Sequence, residues 1–105
     1  MVHITKDNYD RELSIMEDSI VAVNNYFKYV IPEQGNIITK EDIRYLDARL
    51  TTLIEYCCYF MTSEMRTQFQ KTEIHSKAHD LVYIAMRKIV NPEEHNLTYK
   101  EKLHG

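Results

Sequence analysis

The chain has 105 residues, a net charge of −3, 44% apolar and 28% charged residues, two glycines and two prolines. This size and balance fit one globular domain, and the negative charge argues against general attraction to nucleic acid or to anionic membranes. So few glycines and prolines disfavour the many turns of an all-β protein and indicate long helices. Because no run approaches the ~18 apolar residues of a membrane span and no signal peptide is evident, we expect a cytoplasmic protein without membrane contact.

The first predicted helix covers about residues 8–31. Its apolar residues recur at steps of three and four, the spacing of one helix face, at Leu13, Met16, Ile20, Val23, Phe27 and Val30. Asp10 and Glu12 suit the positive end of the helix dipole. Pro32 is expected to end the helix, because the residue before a proline avoids helical geometry, and a loop around Gly35 should follow.

The second predicted helix is the longest and covers about residues 40–70. It opens with a capping sequence from Thr39 to Asp42. Its apolar seam consists of Ile43, Leu46, Leu50, Leu53, Cys57 and Phe60. After Phe60 the apolar stripe continues one position later, at Met65 and Phe69, while Glu64 takes the position expected for a core residue. This shift predicts either one long helix with a displaced stripe or a break near Thr62–Ser63.

The third predicted helix covers about residues 72–91 and ends at Asn91-Pro92. Its apolar face consists of Ile74, Ala78, Leu81, Ala85 and Ile89. Together the helices predict an all-α fold, a three-helix antiparallel bundle with a long central helix, or four helices if the second one breaks. The expected helical domain is 1–91, and residues 92–105 are expected to form a polar tail that is loose or depends on a partner.

Tyrosine is the most unusual feature of the composition, with eight tyrosines and no tryptophan. On the second helix, Tyr45, Thr52, Tyr56 and Tyr59 form a stripe about 120° from the leucine seam. These side chains either cover the neighbouring helices or form an interface, for which tyrosine is a preferred residue. The interface interpretation predicts a small non-enzymatic protein-binding regulator, inhibitor or adaptor. It also predicts a homodimer through the second helix. Regulators that a phage or mobile element encodes and directs at its host are one class of such proteins.

A metal site is the first alternative function. His75 and His79 lie one helical turn apart, so both can bind one Zn²⁺ or Ni²⁺ ion. The flanking acids Glu73 and Asp80 are expected to project to the far side of the core seam. Further ligands must therefore come from another helix or subunit. The histidines otherwise border the core with one imidazole edge in water, which is the interpretation we favour.

A nucleic-acid or nucleotide site is the second alternative, built on the thin basic stretch of Arg66, Lys71 and Lys77. The remaining basic residues are scattered among acids, which disfavours nucleic-acid contact. Cys57 lies on the core seam in mid-helix, where nothing activates a thiol. Because glycine-rich phosphate loops and nucleophile elbows are also missing from the sequence, we expect no enzymatic activity and no cofactor.

Overall fold

The computed structural model describes residues 4–58 and 63–100, apart from the side chains of residues 56–58. The elements in chain order are α1 (Tyr9–Asn25), a π-helical segment (Tyr26–Val30), α2 (Ile31–Glu33), β1 (Ile37–Thr39), α3 (Lys40–Cys58), α4 (Ser63–Gln70), α5 (Glu73–Val90), a 3₁₀ helix (Pro92–His95) and β2 (Thr98–Lys100). The molecule measures 48 × 22 × 19 Å. The prediction of an all-α, bundle-like fold is confirmed, with one small parallel sheet added to it.

Three helices, α1, α3 and α5, each pack against the other two. We call the consecutive α1, π-helical segment and α2 the first helical stretch. Lys88, near the end of α5, lies over the ring of Phe27, near the end of the first helical stretch. These two helices therefore run in the same direction. Tyr26 reaches Asp42 at the start of α3, so α3 runs in the opposite direction. The buried side chains between the three helices include Met16, Ile20, Val23, Leu46, Leu50, Leu53, Ala78, Leu81 and Ala85. These are the apolar faces that the sequence periodicity predicts.

The first helical stretch extends past the predicted end at Pro32. Ile31 has helical angles, φ −61° and ψ −45°, and α2 continues to Glu33. The π-helical segment explains the difference, because the Ile31 N–H donates to the Tyr26 carbonyl five residues earlier. The wider turn accommodates Pro32, which has no N–H to donate. The chain leaves the helix at Gly35 and Asn36, whose positive φ angles of 71° and 60° reverse its direction.

The predicted loop and the predicted tail meet in a two-stranded parallel sheet. Ile38 of β1 lies opposite Tyr99 of β2, and the Thr98 N–H donates to the Asn36 carbonyl at 2.9 Å. Pro92, at the start of the 3₁₀ helix that follows α5, is buried. The expectation of a loose tail is therefore wrong for residues 92–100. Backbone hydrogen bonds hold this segment, and they leave no trace in the polarity of its side chains.

The second predicted helix corresponds to α3 and α4. Residues 59–62 lie outside the described residues, so continuity through Thr62–Ser63 stays a prediction. On α4, Met65 and Phe69 are buried and Glu64 is exposed, as the displaced stripe predicts. Thr72 then caps α5, because its hydroxyl accepts a hydrogen bond from the His75 N–H at 3.2 Å.

Candidate protein-binding site

A buried carboxylate organises the junction between the first helical stretch and α3. Asp42 is only 4% exposed. Its Oδ1 accepts a hydrogen bond from the Tyr26 hydroxyl. Its Oδ2 accepts from the Thr39 N–H and hydroxyl, each at 2.8 Å, and from the Gln34 amide at 3.0 Å. The Thr39 hydroxyl in turn accepts from the Asp42 N–H at 3.2 Å, which completes the cap that the sequence predicts. We call Tyr26, Gln34, Thr39 and Asp42 the Asp42 cluster.

Protonation in the Asp42 cluster is set by these contacts. Burial by itself raises the pKa of the Asp42 carboxyl, but the hydrogen bonds from Tyr26, Thr39 and Gln34 outweigh burial and hold that pKa below its ordinary value of 3.8. Burial, followed by the hydrogen bond to Asp42 and its charge, raises the pKa of the Tyr26 hydroxyl above its ordinary value of 10.0. At neutral pH the carboxylate is therefore ionised and the phenol keeps its proton.

Tyr45, the first residue of the predicted tyrosine stripe, lies on this cluster. Its ring stacks on the Tyr26 ring with centroids 4.8 Å apart and planes 27° apart. The Arg49 guanidinium lies 5.5 Å from the centre of the Tyr45 ring. Tyr45 nevertheless stays 37% exposed. The side chain therefore covers a neighbouring element and stays partly exposed to solvent, and its part in an interface stays a prediction.

The rest of the predicted stripe is described only in part. Thr52 is half-buried, and its hydroxyl donates to the Ala48 carbonyl at 3.1 Å. The side chains of Tyr56 and Tyr59 lie outside the described residues. Arg49 lies four residues after Tyr45 and three before Thr52, so the three side chains share one face of α3. We call Tyr45, Arg49 and Thr52 the α3 face.

No sequence pattern indicates Tyr26 or Gln34 as parts of this site. The capping sequence at Thr39 and Asp42 is recognisable, but the Tyr26 contact joins residues sixteen positions apart through the packing of two elements. Arg49 carries a signal in its spacing from Tyr45, because an arginine one helical turn after a tyrosine can lie over the ring.

The predicted metal pair shares one side of α5, with ring centroids of His75 and His79 6.5 Å apart. His75 is half-buried and packs edge-on against Phe69, whose ring centre is 5.2 Å away. His79 is exposed, and its Nδ1 lies 3.6 Å from the Asp80 carboxylate. This contact joins two exposed neighbouring side chains whose positions lie about 100° apart around the helix, so the separation of Asp80 from the face of the histidine pair stays a prediction. Among residues 4–55 and 63–100, no three His, Cys, Asp or Glu side chains are grouped to hold a metal ion.

The predicted nucleic-acid residues lie on three different elements. Arg66 is half-buried on α4, Lys71 is exposed in the turn before α5, and Lys77 is on α5. The Lys77 ammonium lies 3.3 Å from the Glu73 carboxylate, which offsets its charge. This ion pair reduces the positive potential that a phosphate backbone needs.

A second surface, not indicated by the sequence, is a groove of about 610 Å³ between α1 and α5. Its floor includes the buried Ile20, Leu81 and Ala85. Two apolar residues of its walls, Val21 and Ile84, are 51% and 49% exposed. Its charged lining residues are Glu17, Lys77, Asp80 and Lys88. We call this surface the α1–α5 groove.

Comparison with protein-family models, with curated proteins and with solved structures finds no match to this chain. Within the described part of the chain, no helix has the length and apolar character that crossing a membrane requires.

Proposed function

We propose that this chain is a small non-enzymatic regulator, inhibitor or adaptor that binds a protein partner through the α3 face. The observation that carries the proposal is the placement of Tyr45, which is fixed against Tyr26 and Arg49 and is still 37% exposed. Tyrosine and arginine are, with tryptophan, the residue types most enriched among the residues that dominate binding at protein interfaces. Tyr56 and Tyr59, further along the predicted stripe, would extend the surface.

The α3 face is suited to binding because contacts within the protein already hold Tyr45 in place. Burying a mobile side chain at an interface costs conformational entropy, and a side chain already held in place avoids part of that cost. The Tyr26 hydroxyl is held by ionised Asp42, so the ring on which Tyr45 stacks has little freedom to turn. The Asp42 cluster thus supports the α3 face without touching the partner.

The proposal is tested by affinity capture from the source cells with three baits. The test bait carries Tyr45→Ala with Arg49→Ala. The control bait carries Tyr83→Ala with Arg87→Ala, which removes an equivalent tyrosine–arginine pair on α5. In that pair the Arg87 guanidinium lies 5.3 Å from the centre of the Tyr83 ring and donates a hydrogen bond to the Tyr83 hydroxyl at 2.8 Å. We expect proteins that the wild-type and control baits enrich, and that the test bait loses by at least about tenfold.

Binding of each captured protein is then measured with purified components by calorimetry. A partner that binds the test variant as tightly as the wild type contradicts the proposal. The identity of the captured protein also tests the host-directed version. A regulator encoded by a phage or mobile element would capture a cytoplasmic host protein rather than a product of its own element.

A further inference from the structure

The α1–α5 groove is separate from the α3 face. All of its described lining residues belong to α1, the π-helical segment and α5. It exposes Val21 and Ile84 above a floor that is continuous with the core. Two parallel helices with an open groove between them leave room for further helices to pack. Two of its four charged lining residues, Asp80 and Lys88, indicate which helices fit.

Asp80, Ile84 and Lys88 follow one another at intervals of four along α5, so they lie in a row on one side of the helix. Helical rise places the acid and the base about 6 Å before and after Ile84. The row therefore has an exposed apolar centre and opposite charges at equal distances from it. Such a row is complementary to its own copy when that copy runs in the opposite direction.

A two-fold axis at Ile84 places the row of one copy against the same row of the other, running in the opposite direction. Symmetry applies each contact twice, so Asp80 meets the partner's Lys88 while Lys88 meets the partner's Asp80. The two Ile84 side chains meet at the axis. A parallel arrangement would instead set Asp80 against the partner's Asp80 and Lys88 against the partner's Lys88, which is repulsive. Charge complementarity therefore favours the antiparallel arrangement.

The α1 wall of the groove obeys the same symmetry. The Lys88 ammonium lies 4.8 Å from the centre of the Phe27 ring, so the ends of the two lining rows are side by side. Val21, Asn24 and Phe27 are spaced by three along α1 and the π-helical segment. An axis level with Asn24 brings exposed Val21 to the partner's Phe27 and joins the two Asn24 amides. Apolar residues meet apolar residues, and the amides meet each other.

We infer that a second copy of this chain covers the α1–α5 groove, docked antiparallel about a two-fold axis that passes Ile84 and Asn24. This dimer goes beyond the proposed partner binding and does not depend on it. It also differs from the homodimer through the second helix that the tyrosine stripe predicts. Because its surface excludes α3, both copies keep the α3 face available.

Multi-angle light scattering and sedimentation equilibrium across a concentration series test the inference. The wild type should reach twice the chain mass of 12.6 kDa. Ile84→Glu places two carboxylates at the axis and should give a monomer. Asp80→Lys or Lys88→Asp alone sets like charges together twice and should weaken the dimer by at least about tenfold. The charge-swapped double variant should restore the affinity to within about threefold.

Three results would overturn the inference. The first is a wild-type chain that stays monomeric at every concentration. The second is a dimer that survives Ile84→Glu or dissociates with Tyr45→Glu, which would move the interface to α3. The third is a double variant that stays as weak as the single ones although circular dichroism shows that it is folded. Restoration by the swap cannot arise from misfolding, because both substitutions remain in place.

Discussion

Replacing Asp42 with alanine should lower the free energy of unfolding more than the same replacement of any other acidic residue on α3. The substitution removes the acceptor of four hydrogen bonds. Thr39 is buried, so its N–H loses its partner at a cost of about 1–3 kcal/mol. Tyr26 and Gln34 are half-buried and can turn towards water, which limits their losses to about 0.5–1.5 kcal/mol each.

These losses combine to about 3 kcal/mol, after allowance for the desolvation of the carboxylate that the substitution relieves. For a chain of this length the expected fall in Tm is roughly 12–24 °C. Urea unfolding at pH 7, followed by circular dichroism, measures the free energy of unfolding. Asp47→Ala is the matched control, because Asp47 is an exposed acid on the same helix. If the two variants differ by less than about 0.5 kcal/mol, the role assigned to the Asp42 cluster is wrong.

The difference in free energy of unfolding between the wild type and Asp42→Ala should depend on pH in a defined direction. Because the pKa of Asp42 is lower in the folded state than its ordinary value of 3.8, the folded protein binds this proton less tightly than the unfolded chain. The stabilisation is therefore fully present well above pH 3.8 and is lost as the pH falls through the folded pKa. The difference between the wild type and Asp42→Ala should narrow in acid. A difference that stays constant, or grows, from neutral pH into acid would refute this assignment.

Three further substitutions have defined outcomes in the same unfolding assay or in hydrogen exchange. Phe69→Ala empties a fully buried position and should cost about 3–5 kcal/mol, with Phe69→Leu costing clearly less; equal losses would contradict tight packing there. Thr72→Ala removes the side-chain cap of α5 and should cost about 1 kcal/mol, while Thr72→Ser, which keeps the hydroxyl, should cost little. Thr98→Pro removes the N–H donated to Asn36 and should speed amide exchange in Ile37–Thr39, whereas Thr98→Ala should not; unchanged exchange would argue against the parallel pair.

The helices could be predicted because their burial repeats locally. Leu46, Leu50 and Leu53 are fully buried at the spacing that the sequence shows, and the displaced stripe at Met65 and Phe69 is buried as well. Each such position is visible within a window of two or three turns. The axial direction of each helix then follows from short connections in a bundle.

The remaining parts of the fold depend on contacts that no local window contains. Strands of three residues are too short to show an alternating pattern, so β1 and β2 look like loop and tail. The π-helical segment before Pro32 is an exception to the usual effect of proline, and it depends on where the wider turn falls. In the site, Tyr45 is visible from the tyrosine stripe, whereas the Tyr26 contact with Asp42 exists only after the first helical stretch has packed on α3.

The parallel pairing of β1 with β2 also sets an order of events during folding. Its partners lie about sixty residues apart along the chain, and α3, α4 and α5 all lie between them. Three-residue strands cannot offset the entropy of closing so long a loop on their own. We therefore expect the bundle to assemble first and this pair to form late. Its backbone hydrogen bonds are therefore expected to form only when the bundle is correctly assembled.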